Sequence, residues 1–394
     1  MVTETSMRPR QEIKAQQSQQ RKLEIIGIIA FVVLMVVVLP LLLSGFRLGL
    51  LGRFLSLAIV ALGIDLIWGF TGLLSLGHGI FFALGGYAFA MFLQLNSLGE
   101  GQIPEFFSLY GVAELPWFWE PFASLPFTLL AIFVLPAIVA GLLGYLVFRN
   151  RIRGVYFSIL TQAALVVFFN LFNGQQKWIN GTNGLKTDTS LFMGQQVGSE
   201  SMQMTFYLIT VAVLVVMYLL CRWLTSGRFG RLLVAIRDDE NRVRFSGYDP
   251  TGFKVLVFAV SGAIAGIAGA LYTVQSGIVS PQFMDIAFSI EMVIWVAVGG
   301  RATLVGAILG ALLVNWARAL LSESFPEVWL FFQGALFLLV VTALPDGLVG
   351  WFRQQAPQQV RSLITKPEPL LTYPQIELDP GIQKERQEIS DRGA

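Results

Sequence analysis

Cysteine, histidine and charge are all scarce in this chain. Its 394 residues include one cysteine, Cys221, and one histidine, His78. A single thiol cannot build an internal disulfide framework, and a single imidazole cannot form a histidine-cluster metal site. Charged residues make up 13% of the sequence, where soluble domains carry about 25%. The net charge of +2 is too small to suggest nucleic acid as a partner. No G-x-x-x-x-G-K-[ST] loop occurs, so ATP is not bound here by that motif. No nucleophile–base pair or metal constellation stands out, and no catalytic role is expected.

Apolar length is what the sequence has instead. It is 55% hydrophobic, with a mean hydropathy of +0.67. A spanning helix needs ~20 mostly apolar residues. Such runs occur at Leu23–Ser44, Leu50–Trp68, Leu73–Leu93, Phe127–Phe148, Val155–Phe172, Met204–Leu224, Phe253–Ser276, Ile286–Gly299, Leu304–Leu321 and Val328–Leu344. The fifth and eighth are short, and the third is rich in glycine. The pattern predicts an all-α integral membrane protein of about ten transmembrane helices. The apolar run after the polar start is too long for a signal-peptide core and is expected to stay as an anchor.

Loop charges set an expected orientation. On one side fall the amino tail, the turn Arg149-Asn-Arg-Ile-Arg153, Arg301, the carboxyl tail and a loop over 225–250. That loop and its flanks hold Arg222, Arg228, Arg231, Arg237, Arg242, Arg244 and Lys254. On the other side fall the loop 94–126, with four glutamates and no Lys or Arg, and the loop 174–203. Basic loops stay in the cytoplasm, so both termini are expected there. Arg47 and Arg53 break the alternation and are read as cations snorkelling from helix ends. The polar tails 1–22 and 353–394 flank a transmembrane domain over 23–352 and are expected to be flexible.

Several polar residues lie inside apolar runs. Gly77 and Gly79 around His78 weaken a helix, and such breaks at membrane depth are tolerated only against protein or a wet cavity. Ser75 and His78 therefore either line a translocation path or brace neighbouring backbone. Ser158, Thr161, Gln162 and Asn170 share one helical stripe. They suit a small neutral or zwitterionic solute, or else bond adjacent helices. Asp65 is expected at an interface or in a helix–helix hydrogen bond. Glu291, about a turn inside its span, is expected to face the bundle and pair with a donor or line the path. Gly262, Gly266, Gly269, Gly306 and Gly310 mark faces where helix backbones approach closely.

Taken in order, several words resemble the permease subunits of ATP-binding-cassette importers of the branched-chain amino acid class, M-type. They are Leu62-Gly-Ile-Asp-Leu66, Gly72-Leu-Leu-Ser-Leu-Gly-His78, Arg153-Gly-Val-Tyr-Phe-Ser-Ile-Leu-Thr161, Asn180-Gly-Thr-Asn-Gly-Leu185, Gly227–Arg242 and Gly262–Leu271. The likeness covers roughly residues 50–350. Within the class, Ser289–Leu304 is similar to the urea-importer branch, with Ala302 where that branch usually has glycine. The resemblance implies a ten-helix, type II-like permease fold in a bacterial inner membrane. It implies a second homologous permease, two cytoplasmic ATPases that bind ATP and Mg, and a periplasmic solute-binding protein. Urea is the solute it favours, with branched-chain amino acids as the alternative, and no cofactor is implied in this chain.

By the same resemblance, the loop 225–250 is the coupling element that sits in a cleft of the ATPase. Gly227, Arg228, Phe229, Gly230, Arg231, Ala235, Ile236, Arg237, Asp238, Asp239, Glu240 and Arg242 would form it. Arg228, Arg231 and Arg237 would meet acidic groups, and Phe229 and Ile236 would fill an apolar cleft. The competing account has these arginines only anchoring topology on lipid phosphate, an account that leaves Asp238-Asp-Glu240 without a role. Trp117, Trp119, Lys177 and Lys186 are candidate contacts for the binding protein. An ion-coupled secondary transporter is the rival of another class; it tends to show inverted repeats, and none is evident. A passive channel would leave the basic loop unexplained.

Overall fold

The computed structural model describes residues 19, 22–99, 102–325, 331, 334, 335, 338, 342 and 347–355. Contacts group Gly27–Gln355 into one unit that carries the bundle; of the other, Met1–Ile26 with Ala356–Ala394, only residues 19 and 22–26 are described.

The helices are α1 (Lys22–Leu42), α2 (Gly45–Thr71), α3 (His78–Asn96), α4 (Leu125–Arg149), α5 (Val155–Gly174) and α6 (Glu200–Ser226). They continue with α7 (Arg228–Phe245), α8 (Pro250–Ser276), α9 (Ile286–Gly299), α10 (Leu304–Ser324) and α11 (Gly347–Gln355). Among the described residues, eight are long and apolar enough to cross a bilayer. The ninth apolar helix, α9, has 14 residues; at 1.5 Å each it rises about 21 Å, short of the ~30 Å hydrocarbon core. The expected tenth span, Val328–Leu344, falls mostly outside the described residues, as do the tails.

Burial separates a centre from a periphery. In α3, 83% of the apolar window is buried, and in α2 78%; in α1 it is 6%. The central helix α8 packs against α2, α3 and α4. Small residues permit this. A Cβ on Gly269 would strike the carbonyl of Phe82 in α3, and one on Gly262 would meet the Ala140 methyl of α4 at 2.6 Å. Gly266 lies against Ile132 O and the Pro136 ring. Pro136 has no N–H to bond the carbonyl four residues back, so the freed oxygen of Ile132 faces a glycine rather than a side chain. Gly306 and Gly310 bring α10 onto the backbone of α9 in the same way.

Contacts also define two ends. Arg153 meets Asn241 and Glu240, Arg237 meets Gly69, and Arg301 stacks 5.1 Å from the Trp68 ring. The basic turns thus share one end with α7. At the opposite end Gln94 donates to Lys186 O, Ser97 accepts from Leu191 N, and Asn96 donates to Ala123 O. Two-residue strands add a little β-structure there, Leu185–Lys186 with Ile278–Val279 and Leu191–Phe192 with Gln195–Gln196.

Candidate functional site

The α2–α3 junction corrects the expected start of the third span. Gly72 caps α2 at φ +74°, and α3 begins only at His78, so residues 73–77 are not helical. An unwound stretch inside a bundle exposes backbone groups that need partners. Helix α5 supplies them: Ser158 Oγ donates to Leu74 O at 2.6 Å, and Leu76 N donates to Thr161 Oγ1 at 3.0 Å. Ser75 Oγ accepts from Gly77 N within the loop. Two members of the polar stripe are therefore spent on backbone. Gln162 is half-buried, and Asn170 is exposed with its amide on Val166 O of its own helix.

His78 is buried, edge-on to Phe81 and Phe258, with Nε2 2.7 Å from Ser261 Oγ. That hydroxyl lies 2.6 Å from Gly63 O, so one chain of polar contacts ties α3, α8 and α2. Asp65 is fully buried and accepts from Ala302 N at 2.7 Å, holding the α9–α10 turn. Glu291 of α9 is ion-paired with Arg318 of α10. Arg318, 27 residues on, carries no sequence signal that would nominate it.

The 225–250 segment is more ordered and more internally engaged than a docking loop requires. Helix α7 starts on Gly227 and kinks at Asp239 (φ −157°, ψ 95°). Gly230 sits where the Thr225 backbone leaves no room for a side chain. Asp239 Oδ1 accepts from Asn241 N and Arg242 N, capping the second half of the helix. Glu240, buried, receives Lys254 Nζ at 2.6 Å, Arg244 Nη2 at 2.9 Å and Arg153 Nε at 3.1 Å. Its carboxyl is held below the usual glutamate range: burial pushes up, but Lys254, Arg244 and Arg153 together outweigh it. Lys254 also lies 5.3 Å from the Phe148 ring.

These contacts reassign several residues. The acidic cluster has an internal role in capping and bracing, so it lends no weight to docking on an ATPase. Ile236 is buried, 4% exposed, and Phe229 is half-buried against Phe253; neither stands free to fill a partner's cleft. Arg237 donates Nη1 to Gly69 O at 2.9 Å and Nε to Asp238, capping α2. Arg228, Arg231, Ala235 and Arg242 are exposed, and Arg242 lies 3.5 Å from Asp239. Arg228 and Arg231 make no ion pair among the described residues.

At the other end, Trp117 is exposed but Trp119 is buried, its indole N–H on Trp178 O at 2.8 Å. Lys177 and Lys186 are exposed. Among the described residues, no group of His, Cys, Asp or Glu could hold a metal ion.

Family comparison decides what kind of membrane bundle this is. The profile of the family described as branched-chain amino acid transport system / permease component matches residues 46–341. This chain belongs to that family. Among curated relatives, the high-affinity branched-chain amino acid permease LivM of Escherichia coli strain K12 is 29% identical, over 75% of this chain and 68% of LivM. LivM of Salmonella typhimurium is 28% identical over the same shares. LivH of E. coli K12 is 25% identical over 74% of this chain and 91% of its own. No solved structure matches. The chain is thus a multi-pass membrane permease of the ABC class and not an enzyme. The expected urea branch finds no support among these relatives, which carry the amino-acid name held as its alternative.

Proposed function

We propose that this permease forms half of the translocation pathway of an ATP-driven importer of branched-chain amino acids in a bacterial inner membrane. It pairs with a homologous permease, two cytoplasmic ATPases and a periplasmic solute-binding protein; ATP and Mg bind the ATPases, and this chain needs no cofactor. The family match over residues 46–341 supports the reading most, and the bracing of α7 supports its coupling part. Ties from Arg237 to α2, from Glu240 to Lys254 of α8, and from Arg153 beyond α4 attach it to three helix ends. A helix held at three points moves as a body with the bundle, so a push on it can repack helices between two states. Its exposed cations Arg228 and Arg231 suit an acidic surface on the ATPase, while Gly227 and Gly230 shape the turn that presents them.

The double reversal Arg228→Glu with Arg231→Glu tests this. The variant should reach the membrane with its partner permease yet lose co-purifying ATPase, and leucine uptake should fall about tenfold or more, as a reversed interfacial charge pair costs several kcal/mol. Normal ATPase retention would sink the coupling role. In a deletion strain, leucine uptake should fall and urea uptake should persist; the opposite result would restore the urea reading. Uptake that outlives ATP depletion but collapses with an uncoupler would instead point to ion coupling.

A further inference from the structure

The end of the bundle opposite α7 contains a cavity of about 360 Å³, between the first turns of α2 and α6 and the last turn of α8. Its size falls within the ~300–1,000 Å³ of small-molecule sites. Arg53 lines it, eight residues beyond the start of α2, so about 12 Å along the helix at 1.5 Å per residue. A cation at that depth in an apolar helix is costly unless it faces a partner or a wet cavity. Arg53 does not reach out to headgroups: Nε donates to Gln275 O at 3.0 Å. Its two Nη groups have no hydrogen-bond or ion-pair partner among the described residues.

Asp188 and Glu200 line the same cavity. Both are exposed, and neither forms an ion pair among the described residues. Phe46, Leu48 and Met204 add apolar lining. Gln275, 4% exposed, also lines the cavity; its Oε1, which has no hydrogen-bond partner, lies against Gly52 of α2. The two carboxylates are hydrated where they stand, but a half-buried guanidinium and carboxylates that line one cavity without pairing each other fit a ligand carrying both charges.

We propose that this cavity binds a zwitterionic α-amino acid with an apolar side chain, before it enters the pathway. The carboxylate meets the Arg53 guanidinium at the base, where two parallel N–H···O bonds are available. The ammonium is held by Asp188 and Glu200 at the rim, and the side chain lies against Phe46, Leu48 and Met204. Urea, with no charge, gains hydrogen bonds but no ion pairs from these anchors, so the pocket favours the zwitterion. The proposal deepens the amino-acid reading above and rests on it for the site's place in transport.

The test uses the assembled permease–ATPase complex in nanodiscs without the solute-binding protein, so that the leucine site of that protein does not contribute; substitutions in this chain alone then report on its own cavity. Equilibrium retention of labelled L-leucine is measured, with unlabelled L-valine, isoamylamine, 4-methylvalerate and urea as competitors. Valine should compete, while isoamylamine, which lacks the carboxylate, 4-methylvalerate, which lacks the ammonium, and urea should not. Arg53→Gln should weaken retention roughly 10- to 100-fold, the range expected for losing a charge-assisted hydrogen bond. Glu200→Gln, at an exposed position with little bearing on folding, should weaken it about two- to tenfold. Gel filtration of each variant complex guards against misassembly. Leucine retention that is absent from the wild type, as strong in both variants as in the wild type, or displaced by urea would overturn the proposal. Leucine uptake by the complete system, measured separately, keeps the two readings apart. Uptake indifferent to both substitutions removes only the pocket, and retention without uptake removes only the transport reading.

Discussion

The two ends of this bundle differ in how fully charge is matched. At the α7 end nearly every buried or half-buried charge is matched. Glu240 takes three cations, Asp239 caps a helix, and Arg237 closes α2. At the other end Glu291 and Arg318 are paired, but the half-buried Arg53 and the exposed Asp188 and Glu200 line a cavity and, among the described residues, form no ion pair. Saturated charges resist deformation, because moving any one strands its partners; unsaturated charges wait for a ligand. The difference suits one end to carrying force and the other to admitting solute.

Breaking the saturated end should produce the largest effect. Glu240→Gln leaves Lys254, 2% exposed, without its counter-ion. Stranding a buried partner costs ~3–5 kcal/mol, so the variant should melt far below the wild type and accumulate poorly in the membrane. A paired Glu240→Leu, Lys254→Met substitution should recover most of that loss. The effect is also pH-dependent. Because the folded-state carboxyl titrates below the ~4.3 of an unfolded glutamate, its stabilisation is complete above that pH and is lost as pH falls through the folded value. Melting curves of wild type and Glu240→Gln should therefore draw together as pH falls below the range of an unfolded glutamate. Curves that stay equally far apart would remove Glu240 from its role as hub.

A smaller effect is expected at the α2–α3 junction, between the two ends. Thr161→Val removes the acceptor of Leu76 N, leaving a donor in low-dielectric surroundings at ~1–3 kcal/mol. Hydrogen exchange should rise across residues 73–77 while the rest of the bundle is unchanged. No change there would show that another group, and not α5, holds the break.

What the sequence discloses follows from the range of the forces involved. Apolar runs of spanning length are a local property, and the nine that fall within the described residues all form helix over most of their length. Sidedness comes from loop charge, another local count, and Arg153 meeting Glu240 puts two basic segments at one end. The start of α3 escapes such reading because the run Leu73–Leu76 is apolar enough for helix, while its fate depends on hydroxyls 84 and 85 residues away. Ile236 reads as a partner contact because amphipathicity reveals an apolar face but not what covers it. Asp238, Asp239 and Glu240 read as a surface feature; only the i,i+4 spacing of Glu240 and Arg244 hints at an internal one. Arg53 reads as an exception to the charge rule because a sequence cannot show a cavity.

The smallest expected effect concerns Ala302, at the α7 end, where the saturation is incomplete in a different sense. Ala302 has φ 57°, a left-handed conformation that costs a residue with a Cβ about 1–2 kcal/mol relative to glycine. Alanine is strained there, since glycine would adopt the same conformation without a Cβ penalty. The strain is held in place by the Asp65 carboxylate on the Ala302 N–H and by Thr303, whose hydroxyl bonds Gly300 O at the same turn. Ala302→Gly should relieve it and raise the melting temperature. The gain should stay near ~1 kcal/mol, since glycine also frees the unfolded chain. Asp65→Asn should lower stability equally in the wild type and in the Ala302→Gly background, because the hydrogen bond it weakens is to the backbone. A destabilised Ala302→Gly variant would mean that the methyl group packs usefully, and that the turn is shaped by contacts and not by its cap.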